Sequence, residues 1–228
     1  MSLTRCNTIS PLRSLRIPYL PPPQSQHLGY SSWDQTPTGR GFAHHVGFFQ
    51  GESDYYTKQY CSTTCALPNP NGTRGVCGQD FFRNRSPAPI GDPTAVGNYS
   101  TSLYRDEAVR AIERHAAGGG DAGSPSLFLY IAWQAAHVPL QPPPLLSLPT
   151  NATAGDLPCA HVGDDRRSTY CRMVTALDSA IGNVHDALRH HGLWDDALVF
   201  VTTDNGGSTY SYNAWPASPR KRNCRWGH

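Results

Sequence analysis

YCRMVTALDSAIGNVHDALRHHGLWDDALVFVTTDNGG, residues 170–207, is the most regular stretch of the chain. In its first half the apolar residues fall at Met173, Val174, Leu177, Ile181, Val184 and Leu188, the spacing of one stripe on an amphipathic helix over 170–190. Gly192 follows as a helix-ending glycine. Residues 197–203, ALVFVTT, form a short apolar run rich in β-branched and aromatic side chains, which predicts a buried strand. Asp204-Asn205-Gly206-Gly207 turns the chain away from it.

Upstream, residues 127–133, LFLYIAW, are bounded by Pro125 and a polar loop and predict a second strand, buried on both faces. Before it, residues 102–117 read as a helix with Leu103, Ala108, Ala111 and Ile112 on one face, stopped by Gly118-Gly119-Gly120. Helix, strand, loop, long helix and strand make βαβ units, so the expectation is an α/β fold with parallel strands. Ligands of such sheets sit outside the carboxyl ends of the strands. Two polar groups lie there: His137, just past the first strand, and Asp204-Asn205, at the end of the second.

A carboxylate beside a carboxamide oxygen suits a hard cation such as Ca²⁺ or Mg²⁺, and the following glycines allow close backbone approach. The competing reading of Asp204-Asn205 is an Asx-type turn. His137 could hydrogen-bond an anion or protonate a leaving group; the alternative is a loop histidine bonded to backbone. Lys221 lies beside Arg220, where a cation could neutralise an anionic ligand oxygen, or simply belong to a solvated charge run. His27 carries no signal by itself.

The rest of the composition narrows the class. The 228 residues carry 19 Lys and Arg against 17 Asp and Glu, a net charge of +2. No basic face with interleaved aromatics stands out, so no nucleic-acid partner is expected. The longest apolar stretch, 127–136, is too short for a bilayer span. Residues 1–26 have no periodicity, end near three consecutive prolines, and are read as a tail outside the folded unit, disordered or not native. Cys61, Cys65 and Cys77 cluster, and Cys159 and Cys171 lie close together; neither group has the spacing of a zinc site, and short-loop disulfides fit better. Four N-glycosylation sequons, at Asn71, Asn84, Asn98 and Asn151, point to an oxidising secretory route.

Several stretches match one family in order. His27-Leu28-Gly29, Pro37-Thr38-Gly39-Arg40-Gly41-Phe42 and Gly51-Glu52-Ser53-Asp54-Tyr55-Tyr56-Thr57 resemble the K-W-H-L-G, P-x-x-R-G-F-D and G-x-x-D-Y-Y blocks of sulfatases, closest to the arylsulfatase B-like group. Residues 126–130 with His137-Val138-Pro139-Leu140-Gln141 resemble P-L-F-L-Y and H-x-P-L-Q. Residues 173–184, Gly192-Leu193-Trp194, Thr203-Asp204-Asn205-Gly206-Gly207 and Trp215-Pro216 with Lys221 resemble the later blocks. The resemblance implies an alkaline-phosphatase-like sandwich with a mostly parallel central sheet, incomplete here, with residues 27–228 as a partial sulfatase catalytic domain. It implies hydrolysis of an aryl or sugar sulfate by a formylglycine hydrate, with one divalent cation, usually Ca²⁺. Asp204 and Asn205 match metal ligands. His27 matches the histidine that assists the hydrate, His137 the one that serves the leaving group, and Lys221 a sulfate contact. A lysosomal or extracellular location is likewise implied, with a sulfated small molecule or sulfated glycan as partner.

The departures set a further expectation. None of the seven cysteines lies in a C-x-P-S-R-like context, and the family's early aspartate pair is absent. Ser25 and Gln26 stand where K-W is expected, so the match breaks at His27. The chain alone is therefore expected to be inactive, with the nucleophile-bearing segment missing. The alternative is a non-catalytic glycoprotein that binds sulfated glycans on the same fold.

Overall fold

The structure, a computed structural model, describes residues 32–62, 76–84, 86–87, 95–118, 126–144 and 159–203. After a 3-10 turn at Trp33–Gln35 come five short strands, β1 Val46–Gly47, β2 Gln59–Ser62, β3 Val76–Gln79, β4 Phe82–Arg83 and β5 Ser86–Pro87. Two helices follow, α1 Ser100–Ala117 and α2 Asp165–His190. The strands make two small antiparallel sheets, ordered β1-β4-β5 and β2-β3. The β2-β3 pair is clamped by a disulfide between Cys61 and Cys77, which face each other in the register. Asn84 turns the chain between β4 and β5 at φ 57, a left-handed conformation that asparagine tolerates. Gly39 is needed for close approach: a Cβ there would sit 2.5 Å from the backbone of Trp33 and Asp34.

Both helices form where the apolar spacing places them. All four residues assigned to the inner face of α1, Leu103, Ala108, Ala111 and Ile112, are buried. Helix α2 starts five residues before the apolar stripe suggests, because Asp164 caps it: its carboxylate accepts from the Arg167 N–H at 2.8 Å. Gly192, at φ +67, lies just past its end. The stripe is buried at Met173 and half-buried at Leu177, Ile181, Val184 and Leu188, while Val174 is exposed; Ala180, outside the predicted stripe, is buried too. Cys159 and Cys171 pair as a disulfide that ties the first turns of α2 to the preceding loop.

The two expected strands depart from the sequence reading. Residues 126–134 run without ladder partners among the described residues. Leu129, Ile131 and Trp133 pack against the cluster of Val46, Phe81, Ala95, Leu103, Tyr104, Ala108 and Ala111. Phe128, on the opposite side, is exposed and stacks on Phe42. Ala132 and Gln134, on the same side as Phe128, are buried, so exposure on that face is confined to the start of the segment. Residues 197–203 are not assigned to a strand, and Leu198, Val199, Phe200 and Val201 are exposed. Among the described residues, then, there is no parallel sheet. An apolar run records a need for cover; the first segment finds it along most of its length, while Leu198 to Val201 of the second stay exposed among the described residues.

Candidate functional site

Of the predicted site residues, the structure describes His137. His27, Asp204, Asn205 and Lys221 lie outside the described residues, so no distance among the five follows from it.

His137 sits on a loop directly after the extended segment 126–134, with its side chain exposed. Its N–H donates to the Gln134 carbonyl at 2.8 Å, closing a turn. Its ring Nδ1 lies 2.8 Å from the Val138 carbonyl oxygen. A carbonyl only accepts, so Nδ1 carries the hydrogen, and Nε2 is the atom left for a ligand. In the neutral ring Nε2 accepts; in the imidazolium it donates.

What holds this loop is a group of phenols. The Tyr55 hydroxyl donates to the carbonyls of Gln134 at 2.9 Å and His137 at 3.0 Å. The Tyr56 hydroxyl donates to Pro142 at 2.6 Å, and the Tyr99 hydroxyl to Gln141 at 3.0 Å. Arg172 on α2 donates to Pro143 at 3.1 Å. Loop carbonyls that would otherwise be buried unpaired are thus satisfied from β-side and helix-side residues together. Tyr55, Tyr99 and Met173 are buried with Ala135, Ala136 and Leu140 of the loop packed on them. Burial holds Tyr55 and Tyr99 protonated well above the ordinary phenol range, so both remain donors at any pH the fold survives.

Three polar side chains set the phenols in place. Gln141 accepts from the Tyr55 N–H at 2.7 Å and donates to Asp54 Oδ2 at 2.6 Å. Asp54 Oδ1 accepts from the N–H groups of Tyr56 and Thr57 at 2.9 and 2.7 Å. Burial pushes the Asp54 carboxyl up, but these hydrogen bonds outweigh it and hold the group below its ordinary value. Lys58, fully buried, donates to the carbonyls of Tyr55 at 2.5 Å, Asn98 at 2.6 Å and Tyr56 at 3.5 Å. Burial lowers its ammonium to about 7, against the attraction of Asp54. Gln134 donates to the Ser53 carbonyl.

The D-Y-Y block and its lysine are therefore the support of the His137 loop. Sequence reasoning used Asp54-Tyr55-Tyr56 only as a family marker and assigned Lys58, Gln134 and Gln141 no role. Their partners lie up to 87 positions away, and nothing in local spacing announces such pairs. Among the described residues no group of three or more His, Cys, Asp or Glu could hold a metal ion. Nor is any helix among them long and apolar enough to cross a membrane.

The loop thus presents an exposed histidine after an apolar extended segment and is braced by Asp54-Tyr55-Tyr56. The sulfatase family profile matches residues 24–228, and the chain belongs to that family. It is 33% identical over 191 residues to mouse (Mus musculus) arylsulfatase J, covering 83% of this chain and 27% of that protein. It is 23% identical over 177 residues to the uncharacterized sulfatase YdeN of Escherichia coli (strain K12), covering 78% of this chain and 25% of that protein. The chain thus spans about a quarter of the length of these curated relatives. Among solved structures, Ps i-CgsB in complex with k-i-k-neocarrahexaose superposes with a TM-score of 0.54 at 22% identity, covering 80% of this chain and 35% of that one. The family and this likeness give the alkaline-phosphatase-like fold, of which the described residues form the part set out above.

Proposed function

We propose that this chain forms part of the catalytic domain of a sulfuric ester hydrolase whose substrate is a sulfated sugar or an aryl sulfate. The observation that carries the reading is His137: an exposed imidazole with Nδ1 fixed on a backbone carbonyl and Nε2 available, on a loop held by three phenols. As the imidazolium it donates through Nε2 to a sulfate oxygen or gives a proton to the leaving oxygen, whose departure needs acid help. By the family resemblance His27 would assist a formylglycine hydrate and Lys221 would contact sulfate; both lie outside the described residues. The carbohydrate ligand of the fold neighbour supports a sulfated glycan as substrate class.

A divalent cation, Ca²⁺ by the family, would be held by Asp204 and Asn205. A carboxylate and a carboxamide oxygen are the hard donors such an ion takes, so the residue types fit it. When bound, it supplies positive charge against the sulfate oxygens. The disulfides Cys61–Cys77 and Cys159–Cys171 support a secretory route, lysosomal or extracellular, as do the exposed sequon residues Asn84 and Asn98.

A second reading, resting on the same presentation of His137, is a sulfated-glycan binder that does not turn over. The purified chain, assayed with an aryl sulfate and Ca²⁺, is expected to give no turnover; robust hydrolysis would contradict that. Binding of a sulfated oligosaccharide that is lost in His137→Ala supports the sulfate site, and equal binding by both proteins refutes it. The same assay on a longer form carrying a C-x-P-S-R segment separates the readings: hydrolysis supports the enzyme, binding without hydrolysis the binder.

A further inference from the structure

We infer that Tyr55 is a positioning residue for His137, acting through the backbone of the loop and not through contact with substrate. The inference rests on the sulfate-site reading of His137, and its argument is geometric.

The Tyr55 side chain is fully buried and stacked on Tyr99, with ring centroids 5.2 Å apart. Its main chain is pinned on both sides. The N–H donates to Gln141, and the carbonyl accepts from the Lys58 ammonium, the Ser100 N–H at 2.9 Å and the Ser100 hydroxyl at 3.0 Å. The ring is therefore a rigid post rooted at the N-terminus of α1. At its tip one hydroxyl bridges the carbonyls of Gln134 and His137, the two ends of the turn that the His137 N–H closes. His137 is thus fixed at its N–H by Gln134 and at its carbonyl by Tyr55, and its ring is then fixed on the next carbonyl, that of Val138. Tyr56 and Tyr99 donate their hydroxyls to carbonyls further along, at Pro142 and Gln141. Removing the Tyr55 hydroxyl leaves both carbonyls without this donor and frees the turn to rotate His137 away from its single ring orientation.

The test is the imidazole signal of His137 in the full 228-residue chain, labelled with ¹³C-histidine and identified by its loss in His137→Gln. In Tyr55→Phe the His137 Cε1–Hε1 resonance is expected to shift and to broaden or split, while those of His45 and His185 stay in place. Tyr56→Phe is expected to leave the His137 signal unmoved. A Tyr55→Phe protein that melts cooperatively with an unshifted His137 signal overturns the inference, as does an equal shift in Tyr56→Phe. Should Tyr55→Phe fail to fold, the unaltered chain still decides. In an equal mixture of H₂O and D₂O, the Tyr55 Cζ signal is expected as two lines, from a hydroxyl proton protected by its two acceptors. A single averaged line refutes the bridge. No sulfate ester or metal enters these measurements, so a chain that fails as a sulfate binder still tests the role of Tyr55.

Discussion

His45→Phe is expected to stabilise this protein, and to stabilise it more in acid. His45 is 1% exposed and stacks on Phe49 with centroids 4.7 Å apart, while neither ring nitrogen has a hydrogen-bond partner among the described residues. Its backbone is well held, since its N–H donates to Asn84 Oδ1 at 2.8 Å and its carbonyl accepts from the Asn84 N–H at 2.7 Å, and a side-chain change leaves both bonds. Leaving a buried polar group unpaired costs about 1–3 kcal/mol, and the slightly larger phenyl ring gives back part of that, for a net gain of about 1 kcal/mol at pH 7.5. Acid adds a second contribution. Burial lowers His45 from 6.5 to about 3, so the folded protein keeps the ring neutral while the unfolded chain takes up a proton below 6.5. A depressed folded value means stability is retained above the unfolded value and lost as pH falls from 6.5 towards 3. One proton costs about 1.4 kcal/mol per pH unit in that window, or about 2 kcal/mol at pH 5. Lys58 titrates in the folded protein near 7, above the window, and the carboxylates common to both proteins largely cancel in the difference. Urea unfolding of the two proteins at pH 7.5, 6 and 5 measures it: the gap should widen from about 1 to about 3 kcal/mol. A variant less stable than the parent, or a gap that does not change with pH, refutes the reasoning.

Two further outcomes rest on the loop support and the cross-links. Gln141→Ala removes the acceptor of the Tyr55 N–H and the amide donor to Asp54 at once, and should cost about 1–3 kcal/mol in urea unfolding with an unchanged slope. Replacing the Cys61–Cys77 pair by serines should cost about 3 kcal/mol, because the bridge closes a loop of 16 residues. Calorimetry of the oxidised parent and the double variant reads this as a lower melting temperature.

The helices were legible because their signals are local. The stripe from Met173 to Leu188 and the face from Leu103 to Ile112 each declare a buried side within one element, and Gly118 and Gly192 mark the ends. The disulfides were legible as a class, from spacing that suits no zinc site. The pairing of 127–133 and 197–203 was not, because an apolar run reports a demand for cover without naming the neighbour that meets it; in the first run Leu129, Ile131 and Trp133 pack on the α1 cluster and Ala132 is buried. At the site, the position of His137 past an apolar run was readable from the sequence. Its support was not. Tyr55 to His137 spans 82 positions and Gln141 to Asp54 spans 87, and a buried polar pair at such separation leaves no periodic trace. His45, one of the pair His44-His45, is wholly buried, and nothing in the local sequence announces it.

Lys58 gives the loop support an unusual ionic character. Three backbone carbonyls converge on its Nζ, an arrangement a monovalent ion could fill in another protein. An ion drawn from solution would leave at low salt and compete with other ions. A tethered ammonium does neither: it has no dissociation constant and no rival, and its effective concentration is fixed by four methylenes. The charge in this cage is instead loaded and unloaded by protons, at a pH of about 7.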